Sequence, residues 1–308
     1  MARIVISDAT MTLPRQVLPD TFYMITRRCT QRQFLLRPDP ELDNAFLYCL
    51  IVAALRYDIG LLHATAMTNH HHTSIHDRLG RVCEFMEHFH KLLAKCVNSM
   101  RGRRENCWSS EPPSVVRLLE RTDVINKVAY AATNPVKDGL VECSTDWPGV
   151  NTIDDLFEGR QLRAYRPAFF RTDGEMPAEV SITLELPPQL GDRETFFNEL
   201  RERITWIEAR HQLSRSLLGR SVLGCERILR QSWRASPESF GRRRVLQPRL
   251  AARSKWARIE ALLRNRHFQR EYQQARHALL EGNPIPFPAG TYWMRRFAGV
   301  EVSPHRLN

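Results

Sequence analysis

Hydrophobic and polar positions along the chain recur with two periods, and the switches between them set out an order of elements. Residues 22–29 (FYMITRRC) are rich in aromatic and β-branched side chains and predict a strand. Pro38 to Pro40 is a turn. Residues 41–57 repeat apolar side chains at helical spacing: Phe46, Leu47, Leu50, Ile51, Ala54 and Leu55. Asp58-Ile59-Gly60 closes that helix, with Gly60 near the position where a left-handed residue is wanted. Residues 61–68 and 73–75 read as extended chain, and a bend at Met67-Thr68-Asn69 would divide them into two short strands. Residues 81–100 predict a second helix, with Val82, Phe85, Met86, Phe89, Leu92, Leu93, Cys96 and Val97 on its apolar stripe. Residues 114–119 (SVVRLL) predict another strand. A third helix spans 124–133, capped by Thr122 or Asp123. Asn134-Pro135 stops it, because a proline ring disfavours helical geometry in the residue before it.

After Trp147-Pro148 the pattern changes. Residues 148–174 have little period. Val180, Ile182, Leu184 and Leu186 alternate with Ser181, Thr183 and Glu185, the pattern of a half-buried strand, ended by Pro187-Pro188. Asp192 caps a long helix over 193–218, and a further helix covers 222–233. The expected organisation is a first domain over 18–147, a linker with one strand over 148–191, and a helical, basic DNA-binding region over 192–308.

Charge sharpens this picture. The 308 residues carry a formal net charge of +11, which favours an acidic partner, either nucleic acid or an anionic membrane surface. Most of the excess lies in residues 241–272, where ten basic side chains face Glu260 and Glu271. Such a stretch gives salt-dependent affinity for a phosphate backbone. Arg242, Arg243, Arg244, Arg253, Lys255 and Arg258 are its candidate DNA contacts, with Trp256 and His267 available for stacking. Arg27 and Arg28 end the first strand. Arg101, Arg103 and Arg104 form a basic loop beside Trp108, a combination that can hold a backbone and stack a base. The seven cysteines are odd in number and include no CxxC pair, which argues against a disulfide framework and a zinc ribbon. No secretory pattern and no apolar run of ~18 residues is present. The expectation is a cytoplasmic protein with no membrane span.

The candidate chemistry lies in MTNHHHTSI, residues 67–75. In a strand successive side chains point to opposite faces, so His70 and His72 share one and His71 faces away. Two imidazoles so placed can reach one metal ion; a polar strand without a ligand fits the spacing as well. On the third helix Tyr130 and Asn134 are four residues apart and share a face. A packing tyrosine and a capping asparagine have the same spacing. His88 and His90 cannot share a helix face and read as structural or surface residues.

Taken in order, strand FYMITRR, helix, strand M-x-N-H-x-H, helix, basic loop with tryptophan, and helix Y-x-x-x-N-P-V-x-x-G-L-V resemble the single-tyrosine HUH transposases. The REP-associated tyrosine transposase branch is the nearest in pattern, and the resemblance covers residues 18–147. It implies an α+β fold, a ferredoxin-like antiparallel sheet with helices. It places the nucleophile on Tyr130 and the metal ligands on His70, His72 and Asn134, with Mg²⁺ or Mn²⁺ as cofactor. It implies single-stranded or hairpin-tipped DNA as substrate, cleaved and rejoined through a 5′-phosphotyrosine. His71 stands where the family has a hydrophobic residue, and Lys137-Asp138 where it has Arg-Ala. A catalytically inactive DNA-binding relative, and a metal-dependent hydrolase using the HxH pair with a water nucleophile, are the two other readings. A homodimer exchanging the tyrosine helix and a monomer are both compatible with the sequence.

Overall fold

The computed structural model describes residues 14–238 and 249–305. Its centre is a mixed sheet built from β1 (Thr21–Arg28), β2 (Ile59–Ala66), β3 (His70–Asp77), β4 (Ser114–Leu118) and the short β7 (Leu250–Ala251). The strand order is β2-β3-β1-β4-β7. All pairs are antiparallel except β4 with β7, which is parallel. Helices α1 (Pro40–Tyr57) and α2 (Val82–Met100) make the two crossovers, β1 to β2 and β3 to β4. This is the βαββαβ, ferredoxin-like arrangement, so the α+β expectation holds.

The local causes are legible. Pro40 opens α1, and the Asp39 carboxylate accepts from the Leu42 amide, a good N-cap at a point where the backbone has orphan donors. The helix ends at Tyr57 as its period indicates, but the left-handed position after it falls on Asp58, at φ 54°, and not on Gly60, which has already entered β2. Asp77, at the end of β3, caps α2 by accepting from the amides of Arg81 and Val82 at 2.8 and 2.9 Å. The bend at residues 67–69 does separate two strands, which pair as a hairpin.

Helices α1 and α2 pack together on one face of the sheet, where Phe46 and Phe89 meet His71 of β3. The other face is covered by α3 (Arg121–Ala132), followed directly by α4 (Asn134–Lys137). Strand alternation therefore sends His71 into the α1–α2 layer, and His70 and His72 toward α3 and α4.

Residues 148–191, expected as a linker with one strand, are more ordered than that. They contain α5 (Ile153–Glu158) and an antiparallel pair, β5 (Gln161–Tyr165) and β6 (Glu179–Thr183), packed on α1. The physical reason is the open edge of β2. The Ala66 amide donates to the Val150 carbonyl, the Thr152 amide to that of Ala64, and the Glu185 amide to that of Leu61. Backbone groups on an edge strand need such partners.

The helical region beginning at 192 also joins the main core. Phe196, Phe197, Leu200 and Ile204 of α6 (Arg193–Leu217) belong to the same buried cluster as the sheet. The next helix, α7 (Cys225–Arg230), is shorter than the expected 222–233, and its Ile228 packs with Met67, Val136, Val141 and Trp147. Helix α8 (Lys255–Leu280) has its own small cluster of Phe268, Tyr272 and Ala275 against Phe287. The last helix, α9 (Trp293–Ala298), follows Tyr292, which packs back into the main core. Among the described residues no helix is long and apolar enough to cross a membrane.

Candidate active site

The register of the sheet assembles the site. Across the β1–β3 pair, Thr26 stands opposite His72 and Arg28 opposite His70, so these four side chains share the α3 face. From that side α4 presents Asn134, which is 2% exposed. Its Nδ2 donates to Nε2 of His70 at 3.1 Å and to Nε2 of His72 at 2.7 Å. The two imidazole rings are nearly perpendicular, with centroids 4.9 Å apart.

Hydrogen bonds fix which nitrogens carry protons. Asn69 gives its Nδ2 to the Arg32 carbonyl, so its Oδ1, 2.7 Å from His70 Nδ1, must accept. His70 therefore carries its proton on Nδ1 and has a free pair on Nε2. His72 Nε2 likewise accepts from Asn134, which leaves its Nδ1–H to donate to Thr26 Oγ1 at 2.7 Å. Both free pairs converge on the position of the Asn134 amide. Burial first, and then the neighbouring His70, His71 and Lys137, hold the His72 pKa well below its ordinary value. A neutral imidazole is the form that binds a metal. Thr26 and Asn69 were not candidates in the sequence; only the strand register and the hairpin bend bring them here.

Tyr130 lies on α3 one turn before Asn134. Its ring packs edge-on to His72 at 5.5 Å between centroids. Lys137 Nζ donates to the Tyr130 hydroxyl at 3.2 Å and lies 4.8 Å from its ring centroid. Lys127 Nζ is 5.6 Å from the same ring. Nearby Asp138 is exposed, yet desolvation by the surrounding chain raises its pKa, although Lys137, Arg28, His211 and Arg32 pull it the other way. Positive charge thus collects around the tyrosine, as an approaching phosphate requires. Lys137 entered the sequence reading only as a departure from the motif, and the structure puts it on the phenol.

The third histidine has a different position. His71 is fully buried on the opposite face. Arg27 Nη1 donates to His90 Nδ1 at 3.0 Å, so His90 carries its proton on Nε2 and gives it to His71 Nε2 at 3.0 Å. His71 in turn donates from Nδ1 to Thr73 Oγ1 at 3.0 Å. Burial lowers the His71 pKa to about 3 and that of His90 well below the ordinary value. His90 is accordingly structural, as its helix position suggested.

Several candidate DNA contacts are engaged elsewhere. Arg27 is tied to His90 and stacks over Trp108 at 5.5 Å. Trp108 is 8% exposed, and its Nε1 donates to the His90 carbonyl at 2.9 Å. It is a core residue and offers no face to a base. Arg101 is paired with Asp39 at 2.7 Å and also donates to the Arg37 carbonyl, so it ties the α2 end to the α1 start. Arg103 donates to Gln33 Oε1 at 2.8 Å. Arg28, Arg104, Arg253, Lys255 and Arg258 are exposed. Arg242, Arg243 and Arg244 lie outside the described residues. Among the described residues no group of three His, Cys, Asp or Glu side chains is arranged to hold a metal; the third polar group beside the histidine pair is the Asn134 amide.

No protein-family model matches the sequence, and no curated protein matches it. A solved structure of a REP-associated tyrosine transposase bound to a REP hairpin is similar to this chain, with a TM-score of 0.41 and 17% sequence identity. The likeness covers 55% of this chain and 96% of that one.

Proposed function

We propose that this chain is a metal-dependent, single-strand DNA cleaving and rejoining enzyme of the transposase type, with Tyr130 as nucleophile. The observation that carries the reading is the convergence of His70, His72 and Asn134 beside the Tyr130 ring. Four side chains from one strand and two helices meet there, the same four to which the motif resemblance assigns metal ligation and nucleophilic attack.

The donor set fits a divalent cation. Two Nε2 free pairs already aim at one point, each ring held by a bond at its other nitrogen. Such outer bonds are how proteins orient imidazole ligands. The Asn134 side chain stands at the same point, and turning its amide over would present Oδ1 in place of Nδ2. The amide oxygen, water and phosphate are donors that Mg²⁺ and Mn²⁺ favour, the two imidazoles are borderline donors for them, and the choice of these ions over zinc follows from the motif resemblance. Bound there, the cation would polarise a phosphate oxygen and offset developing negative charge.

The chain's own residues supply the rest. Lys137 orients the Tyr130 hydroxyl and places an ammonium where the phosphate arrives. Arg28, opposite His70 on the same face, adds a second positive charge. Tyr130 Oη, losing its proton, attacks phosphorus. The Oη–P bond forms as the P–O3′ bond breaks, and the departing O3′ takes up a proton. The 5′ side remains on the enzyme as a phosphotyrosine, and attack by another 3′-hydroxyl reverses the step without an outside energy source. Exposed Arg253, Lys255 and Arg258 extend the basic surface, with Arg242, Arg243 and Arg244 in the sequence before them.

The test is incubation with pooled single-stranded hairpin DNA and Mn²⁺ or Mg²⁺, followed by a denaturing gel. The expected result is an SDS-resistant protein–DNA band absent with chelator and in Tyr130→Phe. Cleavage that survives Tyr130→Phe but not His70→Ala would replace this reading with the water-using hydrolase.

A further inference from the structure

The sequence showed helix α6 only as a long helix of the basic region over 192–308, and one of its faces carries an unassigned feature. Trp206 is 50% exposed. The Arg203 guanidinium lies 4.5 Å from its ring centroid and that of Arg210 5.5 Å away. Among the described residues neither arginine has a carboxylate partner, and the Arg203 Nε is buried without a hydrogen bond. A guanidinium stacked on an indole keeps its N–H donors pointing outward in its own plane. The pair therefore offers an aromatic platform flanked by unspent phosphate donors.

Its location gives the feature meaning. Helix α6 runs alongside α3 and α4 in the same direction. Arg121 Nη1 bonds both Glu199 oxygens at 2.8 and 2.7 Å, and further along Arg215 Nη1 donates to the Val136 carbonyl at 2.8 Å. Trp206 lies about midway between those ties, level with the stretch from Asn126 to Tyr130. Trp206, Arg203 and Asn126 line one cleft of about 340 Å³, with Arg253 at its rim. Asn126 and Tyr130 are four residues apart, so these half-buried side chains share one face of α3. Lys127 sits between them and reaches the Tyr130 ring. The two carboxylates of the cleft do not dominate it: Glu199 is already paired with Arg121, leaving Glu202 beside Arg203 and Arg253.

We infer that Trp206, with Arg203 and Arg210, is a stacking platform for a base of the single strand flanking the bond presented to Tyr130. The occupant is single-stranded nucleic acid. An unpaired base exposes a π-face that can be stacked, and its phosphates match the basic rim; a duplex buries the faces of its bases. The inference rests on the DNA-cleaving reading for its link to Tyr130. The platform's own chemistry requires only that the chain bind single strands.

The experiment uses the full chain and a short fluorescein-labelled oligothymidine, followed by anisotropy, with a duplex of equal length as comparison. Trp206→Ala should weaken single-strand binding about tenfold or more while leaving duplex binding and the thermal melt unchanged. Trp206→Phe should retain most of the affinity. Quenching of indole fluorescence by oligothymidine should diminish in Trp206→Ala. Single-strand affinity within twofold of wild type in Trp206→Ala, equal losses for single strand and duplex, or no single-strand binding by the wild type would each overturn the inference. The adduct assay on the same proteins separates the two claims. Adduct formation with an unaffected Trp206→Ala affinity defeats the platform alone. A Trp206-dependent affinity without any Tyr130 adduct defeats the cleavage reading alone.

Discussion

His72 on β3 and Asn134 at the head of α4 meet with Nε2 and Nδ2 2.7 Å apart, and the same amide nitrogen reaches His70 at 3.1 Å. Two imidazole free pairs served by one amide form a polar knot within a buried layer. The knot has a metal-binding consequence. Asn134→Ala should abolish measurable Mn²⁺ binding in a calorimetric titration. Thr26→Val removes only the group that holds His72 Nδ1. It should lower the Mn²⁺ affinity by roughly 10- to 100-fold, the usual effect of losing a bond behind an imidazole ligand. Unchanged titrations for both variants would remove the metal from the account.

The arginines of the basic loop and strand end separate into two groups by their contacts. Arg101→Ala and Trp108→Ala break bonds to Asp39 and to the His90 carbonyl. They should cost stability, on the order of 3 kcal/mol for the tryptophan, in a urea unfolding series. Arg28→Ala should leave stability within about 0.5 kcal/mol but weaken DNA binding and flatten its salt dependence. A stable Trp108→Ala with selectively lost DNA binding would restore the stacking role expected from sequence.

Buried neutral histidines predict a stability that falls in acid. Burial lowers His63 and His71 to about 3 and His90 well below its ordinary value. In the unfolded chain each titrates near the ordinary 6.5. As pH falls below that value the unfolded state takes up protons the fold refuses, so the stability present above it is lost progressively toward pH 3. Each histidine costs about 1.4 kcal/mol per pH unit within the window. Asp43, raised to about 7 by burial and by Asp39, acts in the opposite sense and offsets about one histidine. The melting temperature should therefore fall between pH 6.5 and pH 4.5, and His63→Gln should shallow the slope. A flat profile would mean that these rings accept protons without unfolding.

Much of the frame was legible because it depends on local pattern. The periods of α1, α2 and β1 and the bend at residues 67–69 predicted their elements to within a few residues. The split of His70 and His72 from His71 followed from strand alternation alone. What the sequence did not show depends on distant pairing. The register that sets Thr26 against His72 comes from two strands joined through a helix and a hairpin. The binding of residues 150–152 to the β2 edge is a backbone event with no side-chain signature. Trp108 beside three arginines looked like a nucleic-acid contact because composition does not say which way a ring faces. Here it turns inward, onto His90 and Arg27.

Lys137 gives the site a charge-specific prediction. Its ammonium donates to the Tyr130 hydroxyl from an exposed position. Lys137→Met should slow adduct formation about 10-fold or more without changing the melting temperature, and Lys137→Arg should recover much of the rate. Equal rates in wild type and Lys137→Met would show that the contact orients nothing in the reaction.

The most direct test of the central claim is to find where DNA becomes attached. Protein incubated with a pool of single-stranded hairpins and Mn²⁺ would be digested with nuclease and protease, and the modified peptide sequenced by mass spectrometry. The account predicts a nucleotide 5′-phosphate on Tyr130 and on no other side chain, with a free 3′-hydroxyl on the released strand. A phosphoryl adduct on another residue such as Tyr292, or cleaved DNA with no adduct on any residue, would contradict it.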